Sequence, residues 1–167
     1  FADSRASTDE IVMRADLALY EAKTVGGGVY RHFAEEMEHS ASRQRQLESD
    51  LRKAIENHEF ELHYQPQFDI RTMKVCGAEA QIRWNHPERG LISPEEFIPV
   101  AETIGLMLPI GSWILREACK EAMHWPESVT VAVKVSSVQF GNVDMLDIDF
   151  QQEVKAALAE AALPASR

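Results

Sequence analysis

Residues 74–84, running from Lys74 to Trp84, constrain the fold more than any other stretch of the chain. Strand alternation sends Cys76, Ala78, Ala80, Ile82 and Trp84 to one side and Val75, Gly77, Glu79, Gln81 and Arg83 to the other. The first side is apolar throughout and calls for a cover of helices. The second turns polar and charged toward its C-terminal end, and charges are rarely enclosed beside a sheet without a partner or a use. The same design recurs downstream, where Val129, Val131, Val133 and Val135 oppose Thr130, Ala132, Lys134 and Ser136. Upstream, Phe60, Leu62 and Tyr64 alternate with Glu61, His63 and Gln65, and Pro66 is expected to end that strand because it cannot donate to a ladder.

Helical patterns separate these strands. Ser93 is expected to cap a helix that opens on Pro94, with Glu96 completing a capping box and Gly105 closing the segment. A second helix is predicted from Pro109 to His124, burying Ile110, Trp113, Ile114, Ala118 and Ala122, and a third from Phe150 to Ala162. The order strand, strand, helix, helix, strand, helix predicts an α/β fold with a largely parallel sheet, and its site at the C-terminal ends of the strands.

The first fifty residues read differently. Thr8, Asp9 and Glu10 start a helix whose Ile11, Val12, Ala15, Ala18, Leu19 and Ala22 recur at helical spacing, and the run Gly26, Gly27, Gly28 stops it. Those glycines lack the strand and helix context of a phosphate-cradling loop. Val29 to Phe33 is expected to form a short strand, and a charged helix from Glu35 to His58, with Leu47, Leu51, Ala54 and Ile55 on one face, is expected to connect into a new domain, the boundary falling near Ser40 to Ser42. A chain of 167 residues without Met at position 1 then divides into a remnant at 1–33, a helical linker at 34–46 and part of a second domain at 47–167.

Composition narrows the function classes. Seventeen basic against 27 acidic side chains leave a formal charge of −10, which disfavours nonspecific binding to nucleic acid or anionic membranes. No apolar run approaches the roughly 18 residues of a spanning helix, and residues 1–14 lack the pattern of a secretory signal. Cys76 and Cys119 have no metal-like spacing and are expected to be reduced core residues of a cytoplasmic protein. His63 and His86 are read as packed or capping imidazoles rather than metal ligands.

The segments Tyr64-Gln65-Pro66, Gly77 to Trp84, His86-Pro87, Phe97 to Glu102 and Ser136 to Phe140 closely resemble the first half of an EAL domain. The resemblance implies half of a (β/α)8-type barrel and metal-dependent hydrolysis of the bacterial second messenger cyclic di-GMP. Glu79 matches the first metal-binding glutamate of that family, Arg83 the arginine that holds a ligand phosphate, and Gln65 the glutamine that contacts the nucleotide. Glu79 and Arg83 share a face roughly 13 Å apart along a strand that rises about 3.3 Å per residue, which suits an extended dinucleotide and argues against a direct ion pair. Ala15 to Lys23 resembles the closing helix of a GGDEF, diguanylate cyclase-type, domain. There Lys23 matches a lysine near the substrate phosphates, and Gly27 stands where an arginine is expected.

Several departures bear on activity. The signature tripeptide reads Glu79-Ala80-Gln81, with an amide in place of the usual leucine, and Gln81 is placed in the ligand pocket. Lys134 occupies the position of the family's metal-binding asparagine, so a fixed positive charge replaces a carbonyl oxygen and is expected to repel a divalent cation and pair with Glu79 instead. The carboxylates that the family supplies on later strands lie outside the sequence, so no two-metal site for Mg2+ or Mn2+ can be assembled from Glu79 alone. The resemblance therefore implies a cyclic di-GMP receptor or regulatory domain. Its alternatives are a piece of an active phosphodiesterase and an interaction module that forms homodimers through the EAL-type domain.

Overall fold

A computed structural model describes residues 7–24, 26–140 and 150–167. They fall into two compact units, residues up to Ser49 and residues from Asp50 onward.

The first unit contains α1 (Thr8–Thr24) and most of α2 (Glu35–Glu56). Asp9 and Glu10 lie in the first turn of α1 and Lys23 in its last, each matched in sign to the helix dipole. Gly26, Gly27 and Gly28 then take φ values of 107°, 71° and 69°, which lets the chain leave the helix at little steric cost. The strand expected at Val29 to Phe33 does not form: residues 29–34 are irregular, and Val29 and Tyr30 are exposed. The short segment has the alternation of a strand but no pairing partner among the described residues. Within this unit Gln44 Nε2 donates to the Tyr20 hydroxyl at 2.9 Å, and the Arg14 guanidinium lies 5.1 Å from the centre of the Phe33 ring.

The second unit is an α/β arrangement around one four-stranded sheet. It comprises β1 (Phe60–Asp69), β2 (Lys74–His86), β3 (Gly90–Ile92), α3 (Pro94–Thr103), α4 (Met107–Ala122), β4 (Thr130–Val133), a 3-10 turn at Ser137–Gln139 and α5 (Phe150–Ala161). β2 is the hub. It pairs antiparallel with β1 along its length, antiparallel with β3 at Trp84–His86, and parallel with β4 at Gly77–Ala80. The largely parallel sheet expected from element order is thus corrected, because the first two strands form a hairpin and only the β2–β4 pair is parallel. Pro66 does not end β1 either. β1 is paired on one side only among the described residues, an edge position that tolerates a missing donor, and a register shift follows at Gln67/Phe68.

Helices cover the apolar side of β2 as its alternation requires. Ala78, Ala80, Ile82 and Trp84 are buried, and Trp84 packs within 5.8 Å of Phe60 and edge-on to Phe97 at 5.5 Å, ring centre to ring centre. A second apolar cluster joins Leu115, Cys119 and Ala122 of α4 to Ala157 of α5 and Leu163. Cys119 is buried, and that burial pushes its thiol pKa up. Cys76 is exposed, against expectation: it lies just before the stretch of β2 that β4 covers, on an arm of the hairpin where Phe68 and Val75 also remain exposed.

Local signals place the ends of these elements. Ser93 caps α3 by accepting from the backbone N–H of Glu95, with Pro94 in the first turn, and Gly105 follows at a φ of 75°. The expected capping box is not formed, since Glu96 directs its carboxylate to Arg89 instead. His86 acts as a turn clamp. Its Nδ1 accepts from the backbone N–H of Glu88 and of Arg89, both at 3.1 Å, while Nε2 lies 3.3 Å from Asp50 Oδ2. An Nδ1 that accepts twice must be unprotonated, so the proton is on Nε2, facing the carboxylate.

Candidate functional site

The polar side of the sheet carries the residues singled out by sequence. Register places Glu61 opposite Arg83, His63 opposite Gln81 and Gln65 opposite Glu79, so directly paired positions project from one face. β4 extends this face: Ala132 lies opposite Glu79, and Lys134 follows two residues later. A cavity of about 420 Å³ lies at the edge of β2 and is reached from both sides of the strand: Glu79, Gln81, Arg83 and Lys134 line it from the polar side, and Ala80, Ile82, Ile98, Met107, Ile110 and Ile114 from the side that the helices cover. It borders the gap along β2 between the residues paired to β4 and those paired to β3, at Gln81, Ile82 and Arg83.

Each side chain has a defined environment. Lys134 Nζ lies 2.9 Å from Glu79 Oε1; the lysine side chain is 82% exposed and the glutamate 22%. Glu79 Oε1 is itself buried and makes no hydrogen bond, so its contact with the ammonium is one of charge rather than of hydrogen-bond geometry. Arg83 donates from Nη1 to the carbonyl of Ile82 and from Nη2 to Gln81 Oε1, each at 2.8 Å. Gln81 Nε2 in turn donates to Gln65 Oε1 at 2.5 Å. Glu79 and Arg83 do not pair with each other, in keeping with their spacing along the strand. At the far end of the face His63 Nε2 lies 2.8 Å from Glu61 Oε1, and hydrogen bonds from His63 and Asn85 lower the Glu61 pKa. Lys23 belongs to the first unit, where it is exposed in the last turn of α1.

A divalent cation finds a poor donor set on this face. A buried carboxylate oxygen without a hydrogen bond is the kind of ligand Mg2+ or Mn2+ seeks, yet an ammonium already neutralises it, and no group of three or more His, Cys, Asp or Glu suited to a metal occurs among the described residues. The residues present do not fit a two-metal centre.

One supporting network was not assigned by motif. Ser136 Oγ donates to Glu102 Oε1 of α3 at 2.6 Å, and Ser136 and Gln139 form a capping box in which the Ser136 N–H donates to Gln139 Oε1 at 3.1 Å. These bonds anchor the chain immediately after Lys134. Its signal was present as a serine followed three residues later by glutamine, but the partner on α3 is 34 residues away and leaves no local mark.

The family profile described as EAL domain matches residues 48–167. The chain belongs to the EAL domain family. It is 43% identical over 164 residues to protein y4lL of Sinorhizobium fredii, covering 98% of this chain and 19% of that protein. It is 39% identical over 142 residues to MucR of Pseudomonas aeruginosa, named a bifunctional diguanylate cyclase/cyclic di-GMP phosphodiesterase, covering 83% of this chain and 21% of MucR. Among solved structures, the MucR phosphodiesterase in complex with cyclic di-GMP superimposes with a TM-score of 0.65 at 38% identity, over 71% of this chain and 47% of that one. The chain therefore spans about a fifth of the length of the curated relatives it matches.

Proposed function

We propose that the EAL-type unit recognises cyclic di-GMP as a receptor or regulatory domain and is impaired in metal-dependent hydrolysis. The Lys134–Glu79 contact carries this reading, because it sets an ammonium where a catalytic cation would need oxygen ligands. Cleavage of a phosphodiester calls for a cation to bear developing charge and to supply hydroxide; an ammonium can bear charge but cannot generate that nucleophile. The Lys134 side chain is 82% exposed, so its ammonium can offer its remaining N–H donors to an incoming phosphate while still neutralising the buried Glu79 oxygen. Arg83 offers a guanidinium suited to phosphate oxygens, and Gln65 lies beside it through Gln81.

The similarity to MucR supports the ligand assignment, as does the half-length overlap with its phosphodiesterase structure. On this reading the second unit forms the first half of a (β/α)8-type barrel, residues 1–33 derive from the end of a GGDEF-type domain, and 34–46 connect the two. Mg2+ or Mn2+ would be dispensable for binding.

Titration calorimetry on the protein that contains this chain tests the proposal. Cyclic di-GMP is expected to bind equally well with EDTA or with Mg2+, and Lys134→Ala is expected to weaken it roughly tenfold, equivalent to about 1.4 kcal/mol for a charge-assisted contact. Release of a linear dinucleotide by the wild-type protein in Mg2+ or Mn2+, at a rate no lower than that of Lys134→Asn, would overturn it and favour an active phosphodiesterase.

A further inference from the structure

Position 81 departs from the family signature by exchanging an apolar side chain for a carboxamide, and the structure gives that carboxamide two polar partners. Its oxygen accepts from Arg83 Nη2 at 2.8 Å and its nitrogen donates to Gln65 Oε1 at 2.5 Å. One partner lies two residues along β2 and the other across the ladder on β1.

The chemistry of the three groups fixes their orientation. A guanidinium only donates, so the end of Gln81 that faces Arg83 must be its oxygen. The nitrogen end is then committed to Gln65, which must accept with Oε1 and turn its own amide nitrogen away from Gln81. A permanent charge on Arg83 thus dictates, through one intervening amide, which end of Gln65 is presented. With Arg83 Nη1 also held by the Ile82 carbonyl, the guanidinium is anchored at two points.

We infer that Gln81 is a positioning residue that sets the polarity of the ligand face, fixing Gln65 as a hydrogen-bond donor and holding the fork of Arg83 before ligand arrives. Together with the Lys134 ammonium, the face then offers donors to an anionic, acceptor-rich ligand, and little of Arg83's side-chain freedom remains to be lost on binding. A leucine at position 81 could do neither. This inference rests on the cyclic di-GMP reading for the identity of the ligand; the relay itself does not.

The test uses Gln81→Met, which removes both bonds at similar volume, and Gln81→Glu, which keeps an acceptor for Arg83 but cannot donate to Gln65. Cyclic di-GMP affinity is measured for the wild type, both variants, Gln65→Ala, and Gln65→Ala combined with Gln81→Met. Arginine-selective 15N spectra of the ligand-free proteins follow the Arg83 side chain. The expected result is a loss of about tenfold in Gln81→Met that shrinks to threefold or less when Gln65 is already alanine. Gln81→Glu is expected to lose affinity while keeping the Arg83 signals of the wild type, which Gln81→Met broadens or shifts. Wild-type affinity in Gln81→Met, equal losses in both backgrounds, or unchanged Arg83 signals in Gln81→Met would each overturn the inference. If the wild type does not bind cyclic di-GMP, the ligand reading falls and the Arg83 spectra alone decide the relay.

Discussion

Replacing Gly111 by alanine sets two effects of similar size against each other. Gly111 lies in the interior of α4, where alanine is favoured over glycine by about 1 kcal/mol. A Cβ at this position would fall 2.2 Å from Gln139 Nε2, 2.7 Å from its Cδ and 3.0 Å from its Oε1, well inside the roughly 3.5 Å of ordinary contact. The glutamine side chain must therefore swing by more than an ångström, and the 3.1 Å bond from the Ser136 N–H to its Oε1 is lost. A net hydrogen bond of this kind is worth about 0.5–1.5 kcal/mol. Gly111→Ala alone should leave stability within about 0.5 kcal/mol of the wild type, and Gln139→Ala should cost about 1 kcal/mol. In the Gln139→Ala background the clash is gone, so the same glycine replacement should recover about 1 kcal/mol. Urea unfolding of the four proteins gives the coupling, expected near 1 kcal/mol. Additivity within about 0.3 kcal/mol would show that Gln139 does not depend on the missing Cβ. If the chain binds cyclic di-GMP as proposed, Gly111→Ala is also expected to weaken that binding a few-fold without a matching loss of stability, since the displaced bond anchors the turn after Lys134.

Other outcomes follow from burial and charge. Trp84→Ala removes a fully buried ring packed on Phe60 and Phe97 and should destabilise the second unit by about 3–5 kcal/mol in denaturant unfolding. Glu153 accepts from the Ser112 hydroxyl and from Arg116, and these partners lower its pKa against the opposing effect of burial. Its contribution is complete above the ordinary carboxylate range and is lost as pH falls through the lowered value, so Glu153→Gln should flatten the acid limb of a stability-against-pH curve below about pH 4. Maleimide labelling of the native protein should modify Cys76 readily and spare Cys119 until unfolding, since one thiol is exposed and the other is buried with its pKa raised.

Much of the site was legible because a strand's side-chain alternation is a local property. Residues 74–84 alone specify that Glu79, Gln81 and Arg83 share a face opposite Ala80, Ile82 and Trp84, and the observed burial follows that division. Ser93 and Pro94 likewise announce the start of α3 through bonds that span only a few residues. By contrast, the capping box expected from Glu96 fails because Arg89, seven residues upstream, offers its carboxylate a charged partner. The exposure of Cys76 depends on where β4 begins its pairing, which no pattern within β2 records.

The family, the two faces of β2 and the residue types gathered on the polar one are all readable from the amino-acid order. The pairing of Lys134 with Glu79 across 55 residues was expected from the exchange of asparagine for lysine, whereas the antiparallel β1–β2 pairing that admits Pro66 at an edge and the bridge from Arg83 through Gln81 to Gln65 emerge only in the folded chain. Alternation fixes which side of its own strand a residue occupies, whereas its neighbours on that side are set by the register and direction of strands distant in sequence.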